Sequence, residues 1–286
     1  MTHGSEAHKT LFCQTFIDSH RSFEPETLPW PILDASTIDR LRSIPFWPVA
    51  LAAERNAGKM VSGFAGLVSD PLIHQALAVQ GIEETRHARL LEYMLAHYSV
   101  AVDEQPGNVW KLNRRSFIDF GYEECIDAFF GFGIFGLARQ IQLFIPELTD
   151  IFEVILIEEA RHVTFFVNWI AYERAHRHLG SLPASAAATA LGYARAVRRI
   201  VATFAPTAAQ QRNQGPGFAA EGAFALVGDI TWRQFLRSCI SENNRYLSTF
   251  DPRLLRPRVL PTLARLALAL PAFPVPKNRA AAASSA

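Results

Sequence analysis

From Trp47 onward, apolar residues recur three and four positions apart, the period of a helix with one buried face. The pattern predicts four long helices, near 46–68, 71–98, 114–144 and 146–178. Asp70-Pro71 and Ile145-Pro146 mark the turn inside each pair. Proline suits the first turn of a helix and disfavours helix in the residue before it. The 103–108 stretch, with Pro106-Gly107, separates the pairs. Two further helices are expected near 184–204 and 217–248. Residues 1–35 read as an irregular lead-in, broken by Pro25, Pro29 and Pro31, with a short helix after Asp34. No alternating strand pattern of useful length occurs, so the chain reads as all-α. The expected divisions are a lead-in at 1–45, a helical domain at 46–250 with its core bundle at 46–178, and a Pro/Ala-rich tail at 251–286.

Composition narrows the function classes. The 286 residues are 49% hydrophobic, enough for a sizeable core. Lys+Arg 28 against Asp+Glu 27 leaves a net charge of +1, which argues against a nucleic-acid partner. No apolar run reaches the roughly 18 residues of a membrane-spanning helix, and MTHGSEAHKT has no apolar signal region, so a cytoplasmic location is expected. Cys13, Cys125 and Cys239 form no CxxC, which excludes a zinc ribbon and suits reduced thiols. From Asp251 on, six basic residues face one acid. Apolar residues at 255, 259, 263, 266 and 270 suit a terminal helix packed on the bundle. The alternative is an element that docks an acidic carrier protein, a ferredoxin or a membrane surface. Residues after Pro271 read as disordered.

The chemistry lies in a repeat. Glu83-Glu84-Thr85-Arg86-His87 and Glu158-Glu159-Ala160-Arg161-His162 share the pattern E-E-x-R-H, 75 residues apart. Glu84 and His87, three apart on a helix, point to one side, and Glu159 and His162 repeat that geometry. Their neighbours Ile82, Leu90, Leu91, Ile155, Leu156, Phe165 and Phe166 are apolar, so the polar groups point into a core. Uncompensated, that burial is very costly; a metal would compensate it. A third E-x-x-H, Glu173 to His176, lies among Arg174, Arg177 and His178 and reads as solvated.

A two-metal site needs one more carboxylate from each partner helix. Glu54 is the candidate on the first, because the midpoint of 54 and 84 falls at residue 69, on the predicted turn. On the third helix Glu124 and Asp127 share a face, and Glu123 is turned about 100° away and reads as exposed. Glu124 is favoured as the ligand, with Asp127 as an acceptor that orients a ligand histidine. The midpoint of 124 and 159 falls near 141–142, short of Pro146, so an early helix end or a π-bulge is expected. Arg86 and Arg161 stand three residues after Glu83 and Glu158, a spacing that permits an ion pair. Their repetition favours a role beside the ligands. Gly131, Gly133 and Gly136, set among phenylalanines, suggest either close helix packing or space for a substrate.

The set Glu54, Glu84, His87, Glu124, Glu159 and His162 resembles the ligands of carboxylate-bridged non-haem diiron proteins on a ferritin-like four-helix bundle. Glu124-Cys-Ile-Asp-Ala-Phe-Phe-Gly-Phe resembles the third-helix segment of their oxygenase and ribonucleotide-reductase branch. Glu159-Ala-Arg-His162-Val-Thr-Phe-Phe resembles the fourth-helix motif of the p-aminobenzoate N-oxygenase family. That family's additional histidine has no counterpart here, Ile155 standing in its place, and Leu91 stands where the reductase carries its radical tyrosine. The resemblance covers roughly residues 46–178. It implies a ferritin-like bundle with additional C-terminal helices and two iron ions, with manganese an alternative at one position. It also implies O2 as co-substrate and an external electron donor such as a ferredoxin or a reductase. The implied activity is a monooxygenase or oxidase that N-oxygenates or hydroxylates a small organic molecule. Desaturation is the rival within that class and ferroxidase or iron storage the rival outside it; a homodimer is left open.

Overall fold

The computed structural model describes residues 1–44, 46–103, 111–177, 182–211 and 230–271. Over these residues the chain is helical, with no strand among them. The helices are α1 (Glu6–Asp18), α2 (Ala35–Ser43), α3 (Trp47–Ala65), α4 (Pro71–His97) and α5 (Arg114–Gln140), followed by α6 (Pro146–His176), α7 (Leu182–Gln211), α8 (Trp232–Leu247) and α9 (Val259–Ala269). Packing runs from α3 to α4, α4 to α6, α6 to α5 and α5 back to α3, so the four long helices meet in a closed order.

Local chemistry starts these helices where the proline signals place them. Asp70 accepts hydrogen bonds from the Leu72 and Ile73 N–H groups at 3.0 and 3.1 Å, and Pro71 takes the first helical position, where its missing N–H costs nothing. Asn113 caps α5 through the Ser116 N–H at 3.0 Å, and Pro146 opens α6. The helix predicted to run to 144 ends at Gln140, and Gln142 takes a left-handed φ of 51°. This early end puts the 141–142 midpoint in the turn itself.

The lead-in is a correction. Residues 6–18 form α1, capped by the Ser5 side chain on the His8 N–H at 3.2 Å, and bury Phe12, Cys13 and Phe16 against α4 and α6. The prolines that suggested irregular chain begin only at Pro25. The short helix after Asp34 is α2. The expected 184–204 helix lies within the longer α7. The 217–248 helix is represented by α8; its residues 217–229, the linker at 104–108 and the tail beyond Pro271 lie outside the described residues. Helix α9 packs on α8 and α5, burying Pro261 and Ala264 and leaving Leu263 and Leu266 exposed. Among the described residues, no helix is long and apolar enough to cross a membrane.

Two large apolar cores, with a small third one around Phe129, Cys239 and Ala264, fill the interior. One gathers Phe64, Phe117, Phe166 and Trp169; the other gathers Leu41, Trp47, Leu90 and Phe152. The polar layer lies between them. On α3, Leu51 belongs to the second core and Ala57 to the first, with Glu54 between.

Two of the α5 glycines serve close helix packing. A Cβ on Gly133 would overlap the Cys239 Sγ of α8, and one on Gly136 would crowd Glu242 and Ser238, so these two permit close helix approach. A Cβ on Gly131 would meet nothing within 4 Å. Gly133→Ala is therefore expected to destabilise by about 1–3 kcal/mol through overpacking. Gly131→Ala should stabilise by about 0.5–1 kcal/mol, since alanine costs less than glycine in a helix. Thermal unfolding of the two variants, with midpoints moving in opposite directions, checks this.

Candidate metal centre

Helices α4 and α6 present their repeated motifs to each other. Glu84, His87 and His162 are buried almost completely, and Glu159 nearly so. The imidazole rings lie 5.6 Å apart between centroids. Nδ1 of His87 stands 3.2 Å from Glu159, 3.4 Å from Glu54 and 3.8 Å from Glu84. Nδ1 of His162 stands 3.0 Å from Glu84 and 3.6 Å from Glu159. Glu84 and Glu159 thus each reach both histidines, and Glu54 reaches His87. Donor atoms of Glu54, Glu84, His87 and Glu159 all lie within 4.8 Å of one another, a buried group that can hold metal ions.

Glu124 and Asp127 of α5, like His162, lie outside that four-residue group, though the two carboxyls feel its charges. Burial pushes the Glu124 carboxyl well above its usual range, with the negative charges of Glu159, Glu84, Asp127 and Glu54 adding to it. Asp127 keeps access to solvent. The protein around it, then Glu159 and Glu54, pushes its carboxyl up to about 7. Burial likewise pushes Glu54 up to about 7, against the pull of His87. Glu159 moves the opposite way: burial raises it, but both imidazoles outweigh that and lower it. Burial disfavours charge on His87 and His162, yet the carboxylates facing them raise both.

A crossed pair of outer carboxylates orients the imidazoles. His87 donates through Nε2 to Glu158 on α6 at 2.9 Å, and His162 donates through Nε2 to Glu83 on α4 at 2.9 Å. This pairing fixes the tautomer whose Nδ1 lone pair faces the centre. Each carboxylate is held in turn by an arginine of the other helix. Arg86 reaches Glu158 at 2.5 Å, and Arg161 reaches Glu83 at 2.7 Å. The within-helix pairing that the spacing permitted is replaced by pairing across the interface. The role expected of Asp127 belongs to Glu83 and Glu158, because Asp127 makes no hydrogen bond to either histidine.

The two halves differ in their support. Arg161 also donates to the Phe16 carbonyl at 2.6 Å and the Ser19 Oγ at 2.9 Å, and His20 pairs with Glu83 at 2.5 Å. The end of α1 thus braces the His162 side. On the other side, the Arg86 guanidinium lies 4.0 Å from the Phe23 ring centroid. With these partners, Glu83 is held down at about 2 against the effect of its burial.

Glu123 corrects the expectation of exposure. It is half-buried and 3.3 Å from Arg199 of α7, and burial pushes its carboxyl up to about 8 despite that cation. The third E-x-x-H stays out of the centre: Glu173 pairs with Arg114 and Arg177 at 2.7 and 3.2 Å, and His176 lies half-exposed. All three cysteines are free and buried.

The residues present fit a metal pair. Nδ1 of His87, Nδ1 of His162 and Oε2 of Glu84 are buried with no hydrogen-bond partner, although carboxylate oxygens lie 3.0–3.8 Å from the two nitrogens. Buried polar atoms are otherwise almost always paired. Carboxylate oxygens with imidazole nitrogens suit a divalent metal ion. The chain matches no protein-family model, and comparisons with curated proteins and with solved structures give no match either.

Proposed function

We propose that the chain is a ferritin-like helical oxygenase whose diiron centre activates O2 toward a small organic substrate, by N-oxygenation or hydroxylation. The observation that carries this reading is the pair of buried, unpartnered imidazole nitrogens facing a group of glutamates, each imidazole oriented from behind by a carboxylate. Glu54, Glu84 and His87 would hold one ion, and Glu124, Glu159 and His162 the other. Glu84 and Glu159, which reach both histidines, would bridge. Four carboxylates supply the four negative charges that balance two divalent ions. When bound, the ferrous pair supplies electrons and open positions for O2.

The chain's own residues do the rest. Glu83 and Glu158 keep each Nε2 proton engaged so that Nδ1 stays free to bind metal. Arg86 and Arg161 hold those outer carboxylates in place. The two apolar cores cover the layer on two sides. Electrons for repeated turnover would come from a separate ferredoxin or reductase. Over 100 residues follow His162, among them α7, α8 and α9. An iron-storage subunit has no need of so much further structure.

Anaerobic loading with ferrous iron followed by O2 distinguishes the classes. The expected result is oxidation of two irons per chain, after which O2 uptake stops until an electron donor is added. Continued uptake of iron to many ions per chain, with a mineral product, would replace this reading with iron handling. Desaturation remains an outcome of substrate analysis, recognised by loss of two hydrogens without gain of oxygen.

A further inference from the structure

The outward face of α9 is apolar and left uncovered by the described residues. The helix packs on α8 and α5 with Pro261 and Ala264 buried. Val259, Leu263, Leu266 and Leu270 follow at four, seven and eleven residues, which sets them in one stripe along the helix. Leu263, Leu266 and Leu270 are 55%, 60% and 59% exposed. Exposed leucines scattered singly are ordinary, whereas three on one helix face mark an interaction site. Arg258 and Arg265, seven apart, line one flank of the stripe, and both are exposed. Neither pairs with an acid among the described residues. At the C-terminal end of the stripe, the Arg233 guanidinium of α8 donates to the Leu268 and Leu270 carbonyls. The neighbouring Trp232, 44% exposed, stands at that same end.

Charge identifies what this face meets. Residues 252–286 hold six basic residues and no acid, and residues 230–241 hold Arg233 and Arg237 and no acid. We propose that the α9 face docks on an anionic lipid surface, with Leu263, Leu266 and Leu270 entering the acyl boundary and Arg258 and Arg265 reaching the phosphates. A helix with an apolar side and a basic flank lies in the plane of such a surface. Helix α9 has 11 residues and a length of about 16 Å, far short of the roughly 30 Å hydrocarbon core. It therefore lies on the membrane and does not cross it. Trp232 suits the headgroup level, where amphipathic rings gather. A protein partner would need polar groups to set its register, and the leucine stripe itself carries none. The proposal is independent of the metal centre.

The test is co-sedimentation of the full chain, at low salt, with vesicles of phosphatidylcholine alone or mixed with phosphatidylserine. The mixed vesicles are expected to bind the chain about tenfold or more tighter than phosphatidylcholine alone. Leu263→Ser, Leu266→Ser and Leu270→Ser combined should weaken that binding about tenfold or more, since it scales with the apolar area buried. Arg258→Gln with Arg265→Gln should weaken it about thirtyfold, at about fivefold per arginine. All five side chains are exposed, so circular dichroism and the thermal midpoint should stay at their wild-type values in both variants. No binding to the mixed vesicles, equal binding to the two lipids, or unchanged binding in either folded variant overturns the proposal. So does a wild-type dimer in gel filtration that the serine variant dissociates, because a second copy would then occupy the face.

Discussion

Alanine in place of Glu159 is expected to leave the chain unable to retain two metal ions. Glu159 stands between the halves of the centre, 3.2 Å from Nδ1 of His87 and 3.6 Å from Nδ1 of His162. In the proposed centre its loss would remove a donor near both histidines and leave three carboxylates against the four charges of two divalent ions. The affinity should fall by more than the 10–100-fold typical of residues that only orient a ligand. Alanine is the strongest helix former, and α6 keeps both of its apolar faces. The helical signal in circular dichroism should therefore survive. Glu173→Ala supplies the control, since that residue belongs to the third E-x-x-H and pairs with Arg114 and Arg177 instead. Metal analysis after gel filtration should find two ions per chain in wild type and in E173A, and fewer in E159A. Two ions retained in E159A would remove Glu159 from the ligand set.

Glu83→Ala and Glu158→Ala should each do two kinds of damage. Either one strands a buried arginine, Arg161 or Arg86, whose side chains are 4% and 5% exposed. Breaking such a buried pair from one side costs about 3–5 kcal/mol. At the same time an imidazole loses the acceptor that fixes its tautomer, and metal affinity should fall about 10–100-fold. The crossing makes the expectation specific. Glu83 shares a helix with His87 but holds His162, so a double-mutant cycle should find coupling between Glu83 and His162 and little between Glu83 and His87. Replacement by Gln, which keeps an acceptor for Nε2–H, should recover part of the affinity but not the arginine's counter-charge. Coupling of Glu83 to His87 alone would contradict the crossed arrangement.

The long helices were legible because their apolar faces are continuous and because Asp70-Pro71 and Ile145-Pro146 act locally. The level of Glu54 with Glu84 followed from counting back to the first of those turns. The early end of α5 was foreseen only as a mismatch in register; its cause, the turn through Gln142, has no strong residue signal. Helix α1 was missed because its anchor residues, Phe12 and Phe16, are few and the conspicuous prolines come later. The outer carboxylates were written in the repeat itself, whose first glutamate recurs with the histidine. Spacing along one helix could not reveal that each glutamate serves the opposite histidine, because that pairing exists only once α4 and α6 face each other. Glu123 shows the same limit, since its cation comes from α7, some 76 residues further on. The glycines of α5 needed their neighbours: Gly133 faces Cys239, whereas Gly131 faces nothing.

The central claim is that two metal ions sit between α4 and α6, and diffraction from crystals grown with ferrous iron tests it most directly. Data collected on both sides of the iron absorption edge should show two anomalous peaks about 3.5–4 Å apart. Nδ1 of His87 should lie next to one peak and Nδ1 of His162 next to the other, with Glu84 and Glu159 between them. A single peak, or none within reach of the two histidines, would contradict a dinuclear centre.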